Sequence, residues 1–139
     1  MCKTELAKTT KDPDILNKLS QDEDSDIRYC VAQNPDTKPE TLDFLSQDEN
    51  YDVRGCVALN PNTKLEILDV LSQDEDWYVR RCVARNRNTK LETLDVLSRD
   101  ENSDVRWCVA KNPNCPERAY KYIMGLNLLR DLQKALEGR

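Results

Sequence analysis

One block recurs four times along this chain: SQDEDSDIRYCVAQNPDTKPETLDFL from Ser20, then counterparts opening at Ser46, Ser72 and Ser98, each 26 residues after the last. A fixed period of this length belongs to arrays in which one supersecondary unit cannot bury its apolar face until a neighbour stacks on it. Arrays of this kind bind rather than catalyse. Stacking also suits the composition, since 38% apolar and 34% charged residues would be marginal for a compact globule.

Each block divides into two helical elements. In the second block Val53, Cys56 and Val57 sit at i, i+3 and i+4, the spacing of one helix face. Asp24, Asn50, Asp76 and Asn102 stand at the N-cap of this first helix, and Asn34, Asn60, Asn86 and Asn112 close it, with Pro35, Pro61 and Pro113 following three of them. A second helix follows. Thr37-x-x-Glu40, Thr63-x-x-Glu66 and Thr89-x-x-Glu92 match a capping box, and leucine pairs such as Leu68 and Leu71 form its apolar edge. Helices of about ten residues are too short to be stable alone, so the expected fold class is an all-α solenoid of helix pairs.

The expected organisation is one continuous domain: a degenerate N-terminal capping block at 1–19, blocks at 20–45, 46–71 and 72–97, a truncated fourth at 98–115, and a C-terminal cap at 116–139. In the first of these, Asp12-Pro13 gives an N-cap followed by proline at the first helical position, while the region around Leu6 and Ala7 is ambiguous. In the last, Ile123, Met124, Leu128, Leu129, Leu132 and Leu136 supply apolar surface, and Gly125 with Asn127 is a candidate break between two helices. A homodimer through this C-terminal segment is the functional rival of a plain cap, and otherwise a monomer is expected.

Composition bounds the partners. With 26 acidic and 21 basic residues the net charge is −5, which disfavours a general duplex-DNA or anionic-membrane binder but permits a local basic patch. No apolar run approaches membrane-spanning length, and MCKTELAKTTKDPDIL lacks the uninterrupted apolar stretch of a secretory signal. The expectation is a cytoplasmic chain with reduced thiols. Cys30, Cys56, Cys82 and Cys108 are then block equivalents packed as small hydrophobes, because neighbouring helices lie about 10 Å apart and a disulfide needs Cα atoms within about 7 Å. Cys2 and Cys115 fall outside this ladder. The chain has no histidine and no CxxC pair, and neither a glycine-rich phosphate loop nor a nucleophile motif is present, so neither metal, cofactor nor enzymatic activity is expected.

The repeated Asp-x-Val-Arg-x-Cys-Val-Ala-x-Asn-Pro core, followed by Thr and a Leu-x-x-Leu pair, resembles the bacterial variant leucine-rich repeat family. The likeness covers residues 20–114 and is carried by Val53-Arg54, Val57-Ala58, Asn60-Pro61 and Leu68 to Leu71 with their equivalents. It implies a right-handed superhelix of paired helices, related to HEAT and armadillo arrays and assigned to macromolecular interaction. Some relatives hold an iron–sulfur centre on an N-terminal cysteine cluster. Only Cys2 precedes the blocks here, so that cofactor is not carried over.

A residue required by stacking must recur, whereas one used on a ligand need not. Arg28, Arg54, Arg80 and Arg106 recur without exception, as do Asp22, Asp48, Asp74 and Asp100. A guanidinium fork bridging a carboxylate or loop carbonyls of an adjacent unit would tie blocks together, with a phosphate-binding arginine row as the alternative. The variable positions 51, 55 and 59 form an i, i+4, i+8 stripe opposite the Val53 face. Across the blocks it reads Ser25, Tyr29, Gln33; Tyr51, Gly55, Leu59; Trp77, Arg81, Arg85; and Ser103, Trp107, Lys111, with no acid among them. Tyr, Trp and Arg combine large contact area with few rotors or a rigid hydrogen-bonding fork, as interface hot spots require. The third block departs furthest, with Trp77-Tyr78 at its start and Arg87 in place of proline, so Trp77, Tyr78, Arg81, Arg85 and Arg87 form one candidate patch. Three readings stand for it: aromatics lying over neighbouring blocks with arginines neutralising nearby acids, a protein or peptide site, or a single-stranded nucleic-acid site.

Overall fold

A computed structural model describes residues 1–138, and these form ten helices with no strand. They are α1 (Lys3–Thr9), α2 (Pro13–Leu19), α3 (Ser25–Gln33), α4 (Pro39–Leu45), α5 (Tyr51–Leu59), α6 (Leu65–Leu71), α7 (Trp77–Arg85), α8 (Leu91–Leu97), α9 (Ser103–Lys111) and α10 (Glu117–Glu137). Each of the first three blocks therefore holds a nine-residue helix followed by a seven-residue one, while the nine-residue α9 of the fourth is followed by α10. The first helices are capped as the sequence indicates: the side chains of Asp24, Asn50, Asp76 and Asn102 each accept a hydrogen bond from the backbone N–H two residues on.

The capping boxes do not form. Lys38, Lys64 and Lys90 occupy the N-cap of the second helices and make no side-chain cap bond. Thr37, Thr63 and Thr89 lie one residue earlier and are buried, where each hydroxyl donates to the carbonyl of Val31, Val57 or Val83 in the last turn of the preceding helix. The hydroxyl meets a water-excluded carbonyl before it can reach the next helix, so the threonine joins the two helices of a pair instead of starting the second.

The core is the continuous apolar seam expected of stacked helices. Val53, Val57, Val79 and Val83 from the first helices and Leu42, Leu68 and Leu94 from the second are fully or almost fully buried. Burying each such side chain contributes about 1.5–3 kcal/mol before conformational entropy is counted. Successive first helices pack closely, α1 on α3 and onward to α9, whereas successive second helices touch little.

Three polar ladders tie each block to the next. Arg28 Nε and Nη2 grip Asp48 at 2.7 and 3.1 Å, Arg54 grips Asp74 at 2.8 and 3.0 Å, and Arg80 grips Asp100 at 2.7 and 3.1 Å. The same guanidiniums donate from Nη1 to two carbonyls of their own loop, such as Asp22 and Glu23 for Arg28. The second ladder runs the other way and is buried: Asn60 Nδ2 donates to the carbonyls of Ala32 and Asn34, Asn86 to Ala58 and Asn60, and Asn112 to Ala84 and Asn86. On the outer side Lys64 reaches Asp43 and Lys90 reaches Asp69, while Arg118 reaches Asp95. Thr93 also donates to Asp69, but Ile67 stands at the matching place beside Asp43, whose Oδ1 is left without a donor.

The ends substitute for missing blocks. α1 takes the place of a preceding first helix, its Ala7 and Thr10 carbonyls accepting from Asn34, and Lys3 pairs with Asp22 at 2.7 Å. At the other end α10 is a single helix of 21 residues; neither Gly125 nor Asn127 breaks it. Its first two turns pack on α8 and α9 through Ala119 and Ile123. The apolar surface expected of the cap reaches only that far: Leu128, Leu129, Leu132 and Leu136 are each more than half exposed.

Breaking one fork separates its role from simple burial. Arg80→Ala strands Asp100, whose side chain is 7% exposed, and is expected to cost about 3–5 kcal/mol in urea unfolding. Arg106→Ala, with no partner carboxylate to strand, costs less than half of that in the same measurement.

The cysteines sit as packed hydrophobes of uneven depth. All six are free; Cys30, Cys56 and Cys82 are buried, Cys108 and Cys115 half-buried, and Cys2 exposed. Burial pushes the Cys56 thiol up to about 12 and Cys82 to about 11. The folded chain thus holds protons that the unfolded chain releases near an ordinary thiol value of 9.0. Their contribution to stability is complete below that value and is lost as pH rises from it toward the folded values. In native protein at mildly alkaline pH, Cys2 reacts with a thiol reagent first and Cys30, Cys56 and Cys82 last, and mass mapping of the labelled sites checks this.

Candidate interaction surface

The exposed ends of α3, α5, α7 and α9 form one row because their Val and Cys faces are turned into the core. Of the stripe predicted to face outward, Gln33, Tyr51, Leu59, Trp77, Arg85, Ser103, Trp107 and Lys111 are exposed, while Ser25, Tyr29 and Arg81 are half-buried. Gly55 is the exception. It is buried because Tyr78 folds back from α7 onto it: a Cβ on Gly55 would lie 2.6 Å from the Tyr78 ring. The small residue in one block is thus matched to the large one in the next.

Tyr78 anchors an aromatic cluster. Its ring meets Tyr51 edge-on at 5.9 Å and Trp77 at 6.4 Å, and Arg81 lies 5.7 Å from the Tyr78 ring and 6.0 Å from Trp77. Burial pushes the Tyr78 phenol up to about 12. For Tyr78, then, the reading of an aromatic laid over its neighbour holds. Tyr29 is similar, half-buried and accepting from Gln33 Nε2 at 2.9 Å. Trp77, 40% exposed, and Tyr51 present the accessible part of the cluster and border a hollow of 350 Å³ with Asp52 and Asp76.

The single patch inferred from the third block divides in two. Eight steps along α7 carry the chain about 12 Å from Trp77 to Arg85. There Arg85 and Arg87 share a hollow of 330 Å³ with Trp107 and Lys111 of the fourth block, and Lys111 Nζ lies 4.7 Å over the Trp107 ring. Trp107 and Lys111 belong with the third-block arginines, which their separate positions in the sequence did not announce. Among the described residues, no carboxylate lies within ion-pair distance of Arg81, Arg85, Arg87 or Lys111.

A hollow of 490 Å³ lies elsewhere, between α6 and α8, where Asp69 is already held by Lys90 and Thr93. The Thr93 hydrogen bond is the chief cause of the lowered Asp69 pKa. Beside it runs a row that sequence reasoning passed over: Phe44, Val70 and Val96, block equivalents on the second helices, each more than half exposed. Their recurrence at the block period was the available signal. Among the described residues no group of three or more His, Cys, Asp or Glu side chains is placed to hold a metal ion, and no helix is long and apolar enough to cross a membrane. Comparison with protein-family models, curated proteins and solved structures finds no match to this chain.

The Gly55–Tyr78 fit makes a direct prediction. Gly55→Leu forces the Tyr78 ring off α5, destabilises the fold by about 1–3 kcal/mol through overpacking, and lowers the Tyr78 phenol pKa toward its exposed value, read by ultraviolet titration.

Proposed function

We propose that this chain is a non-catalytic interaction module: a right-handed solenoid of helix pairs of the variant leucine-rich repeat type, whose first-helix row binds a protein or peptide. The observation that carries this is the set of cations without acidic partners, Arg81, Arg85, Arg87 and Lys111, set among the exposed Trp77, Trp107 and Tyr51. Elsewhere in the same chain the ladder cations Arg28, Arg54 and Arg80 are gripped by carboxylates. A net-negative protein that leaves one basic, aromatic face free offers it to an acidic segment with an apolar or aromatic anchor. Close packing of the first helices and looser packing of the second support placing this row on the concave side.

The second reading is a single nucleic-acid strand. Lys111 over Trp107, with Arg85 and Arg87 beside it, is an arrangement in which a base stacks while its phosphate is neutralised. Salt separates the two, because a phosphate-driven complex weakens steeply as salt rises and a dry aromatic interface does not.

The test is affinity capture with wild type and a Trp77→Ala/Arg85→Glu/Arg87→Glu variant at low and moderate salt. A bound protein that survives moderate salt and is lost from the variant is the expected result. Nuclease-sensitive material that leaves with salt would replace this reading by the second, and identical captures by both baits would remove the surface from consideration.

A further inference from the structure

Three arginines of this chain show what a guanidinium in their place holds. In Arg28, Arg54 and Arg80, Nη1 is pinned by two loop carbonyls, and the opposite edge, Nε with Nη2, takes both oxygens of one aspartate of the following block. Arg106 keeps the first half of this arrangement: its Nη1 donates to the Asp100 carbonyl at 2.6 Å and to Glu101 at 3.0 Å. The same two bonds therefore set the plane of its guanidinium. The second half has no counterpart. Leu126 stands where the period would bring the next aspartate, and among the described residues no carboxylate lies within ion-pair distance of Arg106.

The other end of the array is treated differently. Asp22, the one ladder aspartate with no arginine before it, is held by Lys3, and that hydrogen bond is the chief cause of its lowered pKa. The N-terminal cap supplies a partner and the C-terminal cap does not. Instead α10 and α9 leave a hollow of 290 Å³, which Arg106 lines together with Ser103, Asp104, Trp107, Ile123, Asn127 and Arg130.

We propose that this hollow is a carboxylate-binding site for an acidic segment of another protein, the carboxylate being taken by Nε and Nη2 of Arg106 as the internal aspartates are. Bidentate recognition suits the planar guanidinium, and fixing its plane beforehand removes part of the ordering cost of binding. Arg130 supplies a second positive charge, with Asp131 Oδ1 3.8 Å from its Nε, and Asn127 and Ser103 supply hydrogen-bonding groups. Asp104 on the same wall disfavours a polyanion, so one acid in a short segment fits better than a phosphate backbone. A second copy of this chain does not offer the aspartate that the fork takes internally, because its ladder aspartates are already held by Lys3, Arg28, Arg54 and Arg80. The site is separate from the third-block surface and shares only Trp107 with it, so either can fail without the other.

The internal ligand supplies the probe: an acetylated, amidated Ser-Gln-Asp-Glu-Asn peptide, the sequence of residues 46–50, and its counterpart with Asn in place of Asp. Titration into the full chain is followed by the arginine Hε resonance of Arg106. The expected result is a saturable Arg106 shift, with the Asp peptide binding at least tenfold more tightly than the Asn peptide. Arg106→Gln should abolish the response with helical content unchanged, and Arg130→Gln should weaken it severalfold. Asn127→Asp, which puts a carboxylate into the hollow, should raise the melting temperature and block the peptide. Equal response to both peptides, full binding by Arg106→Gln or Asn127→Asp, or a stronger response to an oligothymidylate strand than to the Asp peptide would overturn the proposal.

Discussion

The last turns of the first helices end inside the protein, where their carbonyls cannot reach water. An unpaired buried carbonyl costs about 1–3 kcal/mol, so a helix can stop there only if something donates to it. Two side chains do so, one from within and one from outside. Threonine of the same block closes the valine carbonyl, as Thr63 does for Val57, and asparagine of the next block closes the alanine carbonyl, as Asn60 does for Ala32. Each of the first three blocks is thus completed in its polar bonding by its successor, as well as in its apolar burial. Apolar faces alone would tolerate sliding of one helix pair along the next; a bonded asparagine does not, so it sets the register.

The Arg–Asp forks act on the opposite edge of the same layer. Arg54 spans from its own loop carbonyls to Asp74 of the next block, and Asp74 in turn accepts from the backbone of Asp76, the cap of α7. A fork that also holds a capping loop makes the start of each first helix depend on the helix before it. With both ends bonded, the first helices lie close and most of their outward residues are exposed side by side. The second helices, joined mainly through Lys64–Asp43 and its equivalents, are held more loosely. This asymmetry leaves most of the variable positions of the first helices exposed, since the residues that build the array are spent on their neighbours.

Much of the helix packing was legible in the sequence because like residues at a fixed spacing make like contacts. Arg28 and Asp48 announced themselves by recurring, as did the caps at Asp24 and Asn50. The errors came where one residue type has two uses. Thr37 with Glu40 satisfies the pattern of a capping box, but the pattern is silent on which buried carbonyl the hydroxyl meets first. Asn60 reads as a helix stop and is one, yet its bonds to Ala32 and Asn34 join residues far apart in the chain that no local rule connects. Gly125 and Asn127 look like a break, but nothing lies within 4 Å of a Cβ built at Gly125, so no close contact there forces the chain to turn and the helix runs on. In the candidate surface, the aromatic and basic residues were visible from the start. Their division into a Tyr51–Trp77–Tyr78–Arg81 cluster and an Arg85–Arg87–Trp107–Lys111 hollow was not.

The sequence by itself determined the helix pairs, their caps, the buried valine and leucine seam and the identity of the variable residues, because each depends on spacing within a block or recurrence between blocks. Only the tertiary structure decided which variable residues share a surface and which are consumed by packing. Tyr78 and Trp77 are adjacent in sequence, yet one fills the space above Gly55 and the other stays accessible. Arg106 holds the same place in its block as Arg28, yet Arg28 grips an aspartate and Arg106 faces a hollow. In both cases the physical reason is the same: a side chain's role in a stacked array is set by what the next block presents to it.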